Sequence, residues 1–528
     1  MTDALTRRQV PTAAGTPTGL PAGTTGTDRS DNADRSDNAG EPDDAAAADA
    51  AADAGLAAGI AANRPSPAAG RPHFPFPDRP GVSLDAEYLA RFRAAPLVPV
   101  RLAGERDALL VTGYADVRTV LADPRFSREA WANGTLFARK STALALAVSD
   151  APTHTRRRSA VQARFTHRRA EEDRPRIAAI AEELLDRIVA AGRTVDLIAE
   201  FTTPFPYRVI CDMLGVPVAD LDRLLPSVTV MMSFGGRFPA DEVAAAHKVM
   251  YDYFFAQVAL RRQAVAAGTP GPDLLTSLLT APQESRLSDE EIVVFGFGLL
   301  MAGGETTASH LAMCVLQVLR TPGLADRLRR DPSAIPAAVE ELLRWVWFAG
   351  TGGQPHVTLD EVELAGTVLG PNQVVIPLTD AANRDGQVFA DADAFSPDRT
   401  PNPHLGFGHG RHMCLGAAHA RVELQEGLAA VLRRLDDLEL AVGEGETPGA
   451  PGRQEDPVPG TNPVTGAPAA ASWASAPGTP APGTPVPGAP DPAPRPGGPA
   501  GRLDWRDRMF MRGVWRLPVR WRAPGAAK

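Results

Sequence analysis

The stretch FGHGRHMCLG, residues 407–416, places a cysteine, Cys414, among glycines, histidines and an arginine. Three roles compete for this cysteine: a buried structural thiol, a metal ligand or a reactive thiolate. A structural thiol needs a packed apolar setting, whereas this stretch is rich in glycines and cationic side chains, and structural zinc sites use tight pairs that include a second cysteine. The thiolate is favoured because Cys414 comes just before a predicted helix, whose N-terminal dipole and free N–H groups stabilise a negative sulfur.

Helical patterns dominate the chain around this loop. Apolar residues recur at helical spacing in residues 175–192, 287–320, 332–346 and 415–435. Ser288 and Glu291 predict a capping box at the start of the second of these helices. Strands are predicted at 108–114 and within 359–378. Together these patterns predict one large, mainly α domain with small β-sheets.

Composition divides the chain into a folded part and two segments of low complexity. Residues 1–72 are rich in Ala, Asp, Gly and Thr, and residues 446–500 in Pro, Ala and Gly. Such segments bury too little apolar surface to offset their ordering entropy, so both are predicted to be disordered. The apolar and aromatic residues return at 501–523, which we expect to be C-terminal strands that rejoin the domain formed by 73–445. On this interpretation 446–500 is an insertion in a loop, which costs little closure entropy.

Charge and cysteine usage exclude several classes of protein. The net charge of −9 argues against nucleic acid as a partner, because phosphate binding needs a basic surface. The three cysteines form no disulfide framework and fit a reducing cytoplasm, and Cys211 and Cys314 are expected in the core. The N-terminus has no apolar leader, and the apolar run 292–302 is too short to span a bilayer. We therefore expect a cytoplasmic protein without a membrane segment.

Residues 407–416 match the motif F-G-x-G-x-H-x-C-x-G through Phe407, Gly408, Gly410, His412, Cys414 and Gly416. Five further motifs accompany it: AGGETT (302–307), EELLR with Glu341 and Arg344, AANRD (381–385), PDR (397–399) and PTHTRRR (152–158). With these motifs, residues 73–445 and 501–521 resemble the bacterial cytochrome P450 monooxygenases. The resemblance implies the cytochrome P450 fold, haem b as cofactor and Cys414 as the axial ligand of the iron.

The same resemblance implies which residues contact the haem. His154, Arg158 and His412 would hold its propionates, and arginine is a sound physical match for a carboxylate. The other implied contacts are Ala302, Gly303, Phe407, Gly408 and Gly416. His356 stands where most relatives have arginine. A protonated His356 could still pair with a propionate, but such a contact would depend on pH.

Thr306 and Glu305 are the implied catalytic pair, a hydroxyl and an acid that deliver protons to bound O₂. Alone, such a pair is more often an ordinary turn of a surface helix, and the glycines before it more often serve close helix packing. Glu341 and Arg344 share one helix face, and a random pair of this kind is usually a solvated ion pair. In the P450 family the pair is buried with the arginine of P-x-R, here Arg399, and supports the haem loop.

The function implied by the resemblance is insertion of one oxygen atom from O₂ into a small organic substrate, a secondary metabolite. Ferredoxin and ferredoxin reductase would supply the electrons to a monomeric enzyme. A basic cluster (Arg156–Arg158, Arg164, Arg168, Arg169 and Arg411) either docks the acidic donor or is simply solvated. Met231, Met232 and Phe234 are candidates for an apolar substrate lining.

Three rival interpretations remain open. A peroxygenase that uses H₂O₂ is disfavoured by Glu305 and Thr306, which such relatives replace. A catalytically silent haem protein that binds a partner is disfavoured by the retained Cys414. A zinc-binding module is the most distant rival, and His404, His409 and His419 have no assigned chemistry.

Overall fold

Helices are the main secondary structure of the computed structural model, which describes residues 70–133, 145–192, 194–283, 286–441 and 503–522. The helices are α1 Ala86–Ala94, α2 Tyr114–Ala122, α3 Arg128–Asn133, α4 Thr153–Val161, α5 His167–Ala191, α6 Pro204–Leu214, α7 Leu221–Met231, α8 Ala240–Ala266, α9 Leu274–Leu279, α10 Asp289–Arg320, α11 Leu324–Arg330, α12 Ile335–Trp345, α13 Thr379–Ala382 and α14 Ala417–Arg434. Residues 1–69 of the predicted tail and the whole predicted insertion 446–500 lie outside the described residues. The domain boundaries therefore stay predictions.

The central helix α10 follows the sequence prediction closely. The side chain of Ser288 accepts a hydrogen bond from the N–H of Glu291, whose carboxylate accepts one from the N–H of Ser288. This capping box satisfies donors that would otherwise be unpaired at the helix start. The helix is long and apolar enough to cross a membrane, but most of that stretch is buried inside the protein. Its apolar residues are therefore those of a core helix.

Helix α5 begins eight residues before the predicted start at Pro175. The prediction followed the apolar pattern, which begins there, but the polar first part is helical as well. Its side chains form ion pairs along the helix, including Arg168 with Glu172 at 2.7 Å and Arg174 with Glu171 at 2.7 Å. Pairs three or four residues apart stabilise an exposed helix without any apolar face.

The strands form three small sheets. Their bounds are β1 Leu97–Leu102, β2 Arg106–Val111, β3 Phe126–Ser127, β4 Thr194–Asp196, β5 His356–Thr358, β6 Val362–Leu364, β7 Thr367–Leu369, β8 Val374–Pro377, β9 Asp436–Leu440 and β10 Pro518–Arg522. The first sheet has the order β1-β2-β8-β5-β3, in which only β2 and β8 are parallel neighbours. In the second sheet, β10 lies antiparallel between β4 and β9. The third sheet is the antiparallel pair of β6 and β7. The C-terminal segment therefore shares a sheet with strands from two earlier parts of the chain.

The core surrounds α10. This helix packs against α6, α8 and α14, and α14 packs in turn against α5. The 27-residue helix α8 was not predicted, because alanines and charged residues blur its apolar pattern. Because α14 starts directly after the cysteine loop and packs on α10, these contacts fix the loop relative to the central helix.

Candidate active site around Cys414

The loop before α14 is built on two backbone positions that favour glycine. Gly408 and Gly410 have φ values of +72° and +67°, which are left-handed conformations that other residues rarely adopt. A Cβ at Gly410 would also lie 2.5 Å from the carbonyl oxygen of Leu121. The N–H of Cys414 donates to the carbonyl oxygen of Phe407 at 2.8 Å, which closes the loop. The glycines of the motif are therefore required to shape the backbone that holds the cysteine.

Cys414 presents its sulfur to accessible space inside the protein. The residue is exposed, yet burial raises the pKa of its thiol, while the backbone N–H of Gly416 and the charges of Arg158 and Arg421 act to lower it. A side chain that is both accessible and desolvated faces a cavity rather than bulk solvent. The hydrogen bond from Gly416 is of the kind expected for a thiolate at a helix start.

Helix α10 also borders accessible space, at its midpoint. Ala302 is exposed although the turns before and after it are buried. The neighbouring residues that are half-buried are Gly298, Leu299, Met301, Gly303 and Thr306. A core helix that is accessible only at its middle lines a cavity, and the predicted residues Ala302, Gly303 and Thr306 all lie on that stretch.

Two predicted cofactor residues, His154 and His412, lie against each other with ring centroids 4.3 Å apart. The Nε2 atoms of both rings are buried and have no hydrogen-bond partner, although His412 Nε2 lies 3.8 Å from Asp150 Oδ1. Burial, followed by the charges of His412 and Arg158, lowers the pKa of His154 to about 4. Buried polar atoms without partners are uncommon and indicate a missing ligand.

His356 has a setting that differs from the predicted direct contact with a propionate. Its Nδ1 lies 2.9 Å from the carbonyl oxygen of Gln354, and its Nε2 lies 3.1 Å from Nε of Arg128. Burial, followed by the charge of Arg128, holds the pKa of His356 well below its usual range. Both ring nitrogens of this neutral histidine are thus engaged within the protein, and the cation beside it is Arg128.

Sequence analysis missed Arg128, which belongs to the same cationic cluster. Burial lowers the pKa of Arg128 to about 10, and the charge of Asp150 opposes that effect. The guanidinium of Arg128 donates to the carbonyl oxygen of Ala147 at 3.3 Å, and among the described residues it has no ion pair with a carboxylate. Nothing near RFSREAW in the sequence marks Arg128, because its partner His356 lies 228 residues away.

These residues fit haem b, the cofactor that the resemblance implies. Arg128, Arg158 and Arg411 all act on His154, and Arg128 and Asp150 act on His356, so cations outnumber the carboxylate of Asp150 around these rings. The unpartnered nitrogens of His154 and His412 are suited to donate to propionate oxygens. The sulfur of Cys414 and the open face of α10 border accessible space, as a bound porphyrin requires.

The predicted catalytic pair is held in two different ways. Thr306 Oγ1 donates to the carbonyl oxygen of Ala302, at the accessible part of α10. Glu305 is buried, and its Oε1 lies 2.6 Å from Nη2 of Arg506. Gly304 packs so tightly on the ring of Tyr207 that a side chain would not fit, whereas Gly303 has more room beside Ile210. Close packing therefore explains the second glycine of AGGETT.

Glu341 and Arg344 form the buried ion pair that the resemblance implied. Both side chains are fully buried, and Arg344 donates to both carboxylate oxygens at 2.7 and 2.8 Å. Arg399 adds a third contact, from its Nε to Glu341 Oε2 at 3.0 Å. Arg344 also donates to the carbonyl oxygen of Asn383, whose side-chain oxygen accepts from the N–H of Leu405. This network therefore supports the segment that leads into the cysteine loop.

Most of the predicted basic cluster is neutralised by carboxylates. Arg156 and Arg157 both pair with the buried Glu291, and Arg164 pairs with Asp173 at 2.7 Å. Arg168 and Arg169 both contact Glu172, at 2.7 and 2.8 Å. Paired charges of this kind give a weaker field than the sequence alone indicated, so the prediction of a basic docking face loses support.

The remaining histidines and cysteines have structural settings. His404 pairs with Glu340 at 2.9 Å and His419 with Asp173 at 3.0 Å. Within the described ranges, no group of three or more His, Cys, Asp and Glu side chains could hold a metal ion, so a zinc module has no geometric support. Cys211 and Cys314 are buried, as predicted.

The chain is similar in sequence and structure to several known proteins. A family model described as "Cytochrome P450" matches residues 238–440. The chain is 39% identical to a mycinamicin IV hydroxylase/epoxidase of Micromonospora griseorubida, over 70% of this chain and 93% of that protein. It is 37% identical to a nocardicin C N-oxygenase of Nocardia uniformis subsp. tsuyamanensis, over 71% and 94%.

A solved structure of a variant of the mixed-function P450 MycG, in complex with mycinamicin V, is also similar. It superposes with a TM-score of 0.67 at 34% identity and covers 86% of this chain and 100% of its own. The agreement extends over nearly the full length of each relative, so it is not confined to the cysteine motif. The chain therefore belongs to the cytochrome P450 family and is a bacterial haem b monooxygenase.

Proposed function

We propose that this enzyme inserts one oxygen atom into a secondary metabolite, using electrons from a ferredoxin and its reductase. The reaction consumes the substrate, O₂, two electrons and two protons, and it releases the oxygenated product and water. The observation that carries the proposal is the position of Cys414, whose sulfur faces a cavity and accepts a hydrogen bond from Gly416. When bound, haem b supplies the activation of O₂, and a thiolate ligand favours cleavage of the O–O bond.

In this proposal the chain holds the cofactor through two sets of residues. Cys414 ligates the iron, and the loop residues Phe407, Gly408 and Gly416 lie around the sulfur. His154, Arg158 and His412 would bind the propionates, and Ala302 and Gly303 of α10 would also contact the haem. Arg128 supplies the positive charge that His356 lacks, because the histidine is neutral and its ring nitrogens are engaged. The haem domain would span 73–445 and 501–523, interrupted by the insertion 446–500.

Thr306 and Glu305 manage the protons of the reaction. The Oγ1 of Thr306 lies at the accessible part of α10, where it can pass a proton into the cavity. The ion pair with Arg506 occupies Oε1 of Glu305, so this oxygen can take up a proton from water when the pair loosens. Each transfer moves one proton and leaves the side chains in their starting states.

Apolar side chains that can adapt their shape favour a bulky organic molecule as the substrate. Met231 and Met232 are half-buried, and the ring of Phe234 lies 5.7 Å from that of Phe510 on the C-terminal segment. Methionine side chains adapt their shape to irregular ligands. Two relatives are named for oxygenation of an organic compound, mycinamicin IV in one and nocardicin C in the other, which agrees with an organic metabolite as the substrate. The enzyme would act as a cytoplasmic monomer.

Turnover with alternative oxidants tests this function. With ferredoxin, its reductase, NADPH and a metabolite that shifts the haem spectrum, we expect product at a rate about 10-fold or more above that with H₂O₂ alone. The substitution Thr306→Ala is expected to lower the product formed per NADPH, because the hydroxyl that passes protons is lost. Product and NADPH consumption are measured by mass spectrometry and absorbance.

Two results would contradict the proposal in different ways. Faster turnover with H₂O₂ than with ferredoxin would identify a peroxygenase. Haem binding without turnover under either condition, across a panel of polyketide, terpenoid and peptide metabolites, would identify a haem-binding partner protein.

Haem retention tests the role of Arg128. We expect Arg128→Gln to release haem to excess apomyoglobin about 10-fold or more faster than the wild type, because a charged hydrogen bond to a propionate is lost. The double variant Arg128→Gln/His356→Arg is expected to regain slow release, since it restores an arginine beside the same cavity wall. Arg125→Gln is the matched control, because Arg125 is exposed and paired with Asp123. Equal rates for Arg128→Gln and Arg125→Gln would refute this role.

A further inference from the structure

Arg506 reaches from the C-terminal segment to the centre of α10. Its Nη2 lies 2.6 Å from Glu305 Oε1, and its Nη1 lies 2.5 Å from Ser309 Oγ, one turn further along the helix. Tyr207 Oη lies 3.4 Å from the other carboxylate oxygen of Glu305. The side chains of Arg506 and Glu305 are only 11% and 9% exposed. The acid of the proposed proton path is therefore held by a buried cation that no motif pointed to.

The C-terminal segment holds Arg506 firmly in this position. The N–H of Arg506 donates to the carbonyl oxygen of Gly513 at 2.9 Å, and its guanidinium lies 4.7 Å from the ring centre of Trp515. Further along, β10 is paired on both edges, with β4 and β9. A guanidinium with a fixed backbone and a stacked ring loses little freedom when it binds a carboxylate.

We propose that Arg506 is the positioning residue for Glu305, and that it sets how readily this acid takes up and passes protons. The inference rests on the proposed function, in which Glu305 serves the proton path. Arginine does not give up its proton in proteins, so Arg506 is not itself a relay. Its ion pair turns the carboxylate toward Tyr207 and Ser309, away from the accessible stretch at Ala302 and Thr306.

A proton can pass through Oε1 of Glu305 in a defined sequence. The contact between Nη2 of Arg506 and Oε1 loosens, the carboxylate takes one proton from water, and that proton leaves toward Thr306. The carboxylate then returns to the guanidinium. Because the pair is buried, removing its cation leaves a charge that the interior does not stabilise. Glu305 would then be trapped in its protonated form, and its delivery of further protons would slow.

Matched substitutions on the C-terminal segment test this role in the haem-loaded full chain. We expect Arg506→Gln to lower kcat and the product formed per NADPH by about 10-fold or more, with KM within about twofold of the wild type. The solvent deuterium isotope effect on kcat is expected to rise, since proton delivery becomes slower. Arg506→Lys is expected to recover part of the loss, because it restores the charge. Arg508→Gln is the control: its side chain is 55% exposed and makes no contact with Glu305.

Infrared difference spectra of the resting protein provide a readout that does not depend on turnover. Arg506→Gln is expected to gain a carboxylic acid band that the wild type lacks and that Glu305→Gln removes. If Arg506→Gln matches Arg508→Gln in turnover, isotope effect and infrared spectrum, the inference is overturned and the monooxygenase assignment stands. If the wild type shows no ferredoxin-supported turnover, the proposed function fails, while the infrared spectrum still decides whether Arg506 keeps Glu305 ionised.

Discussion

Replacing Cys414 by serine is expected to remove the spectrum of a thiolate-ligated haem–CO complex and to reduce ferredoxin-supported product to background. Serine keeps the loop geometry, which depends on the glycines and on the N–H of residue 414, but its hydroxyl does not donate electron density to iron as a thiolate does. The measurements are the CO difference spectrum of the reduced protein and product detection by mass spectrometry.

Cys314→Ala is the matched control for this substitution. Cys314 is buried in the core around α10, and burial holds its pKa well above the usual range, so it stays a neutral thiol. We expect this variant to keep the thiolate spectrum and its activity, with a small loss of stability. Retention of the thiolate–CO spectrum by Cys414→Ser would show that another residue ligates the iron.

The substitution Glu341→Gln is expected to lower the free energy of unfolding by about 3–5 kcal/mol, the usual cost of leaving one partner of a buried ion pair uncompensated. The amide of glutamine keeps one acceptor oxygen, but its NH2 group faces a donor and the negative charge that pairs with Arg344 and Arg399 is lost. The segment between Asn383 and Leu405 depends on this network, so haem retention should fall together with stability. Urea unfolding, followed by circular dichroism and by haem absorbance, measures both effects.

Glu340→Gln provides the comparison, because it alters the adjacent carboxylate on the same helix. Glu340 contacts His404 and Arg421 but is 31% exposed, so its ion pairs are partly screened by solvent. The substitution Glu340→Gln should lower the free energy of unfolding by about 1 kcal/mol or less. If Glu341→Gln lowers the free energy of unfolding by no more than Glu340→Gln does, the buried pair does not have the supporting role described for it.

The features that could be predicted from the sequence are those whose causes lie close together in the chain. The capping box of α10 involves two residues three positions apart, and so does the pair of Glu341 with Arg344. The cysteine loop is similarly local, because its shape follows from glycines within ten residues of Cys414. Such local patterns can be recognised in the sequence without any knowledge of the tertiary structure.

The contacts that escaped prediction join distant parts of the chain. Arg506 pairs with Glu305 across the central helix, and Arg128 contacts a histidine 228 residues away. Neither arginine differs in its local sequence from the many solvated arginines of this protein. Part of the basic cluster escaped prediction for the same reason, since Glu291, the partner of Arg156 and Arg157, lies more than a hundred residues away.

Iron K-edge X-ray absorption of the purified haem-loaded protein tests the central claim most directly, because it reports the atoms bound to iron. We expect one sulfur neighbour of iron in the wild type that is absent in Cys414→Ser. An iron surrounded only by nitrogen and oxygen neighbours in the wild type would contradict it.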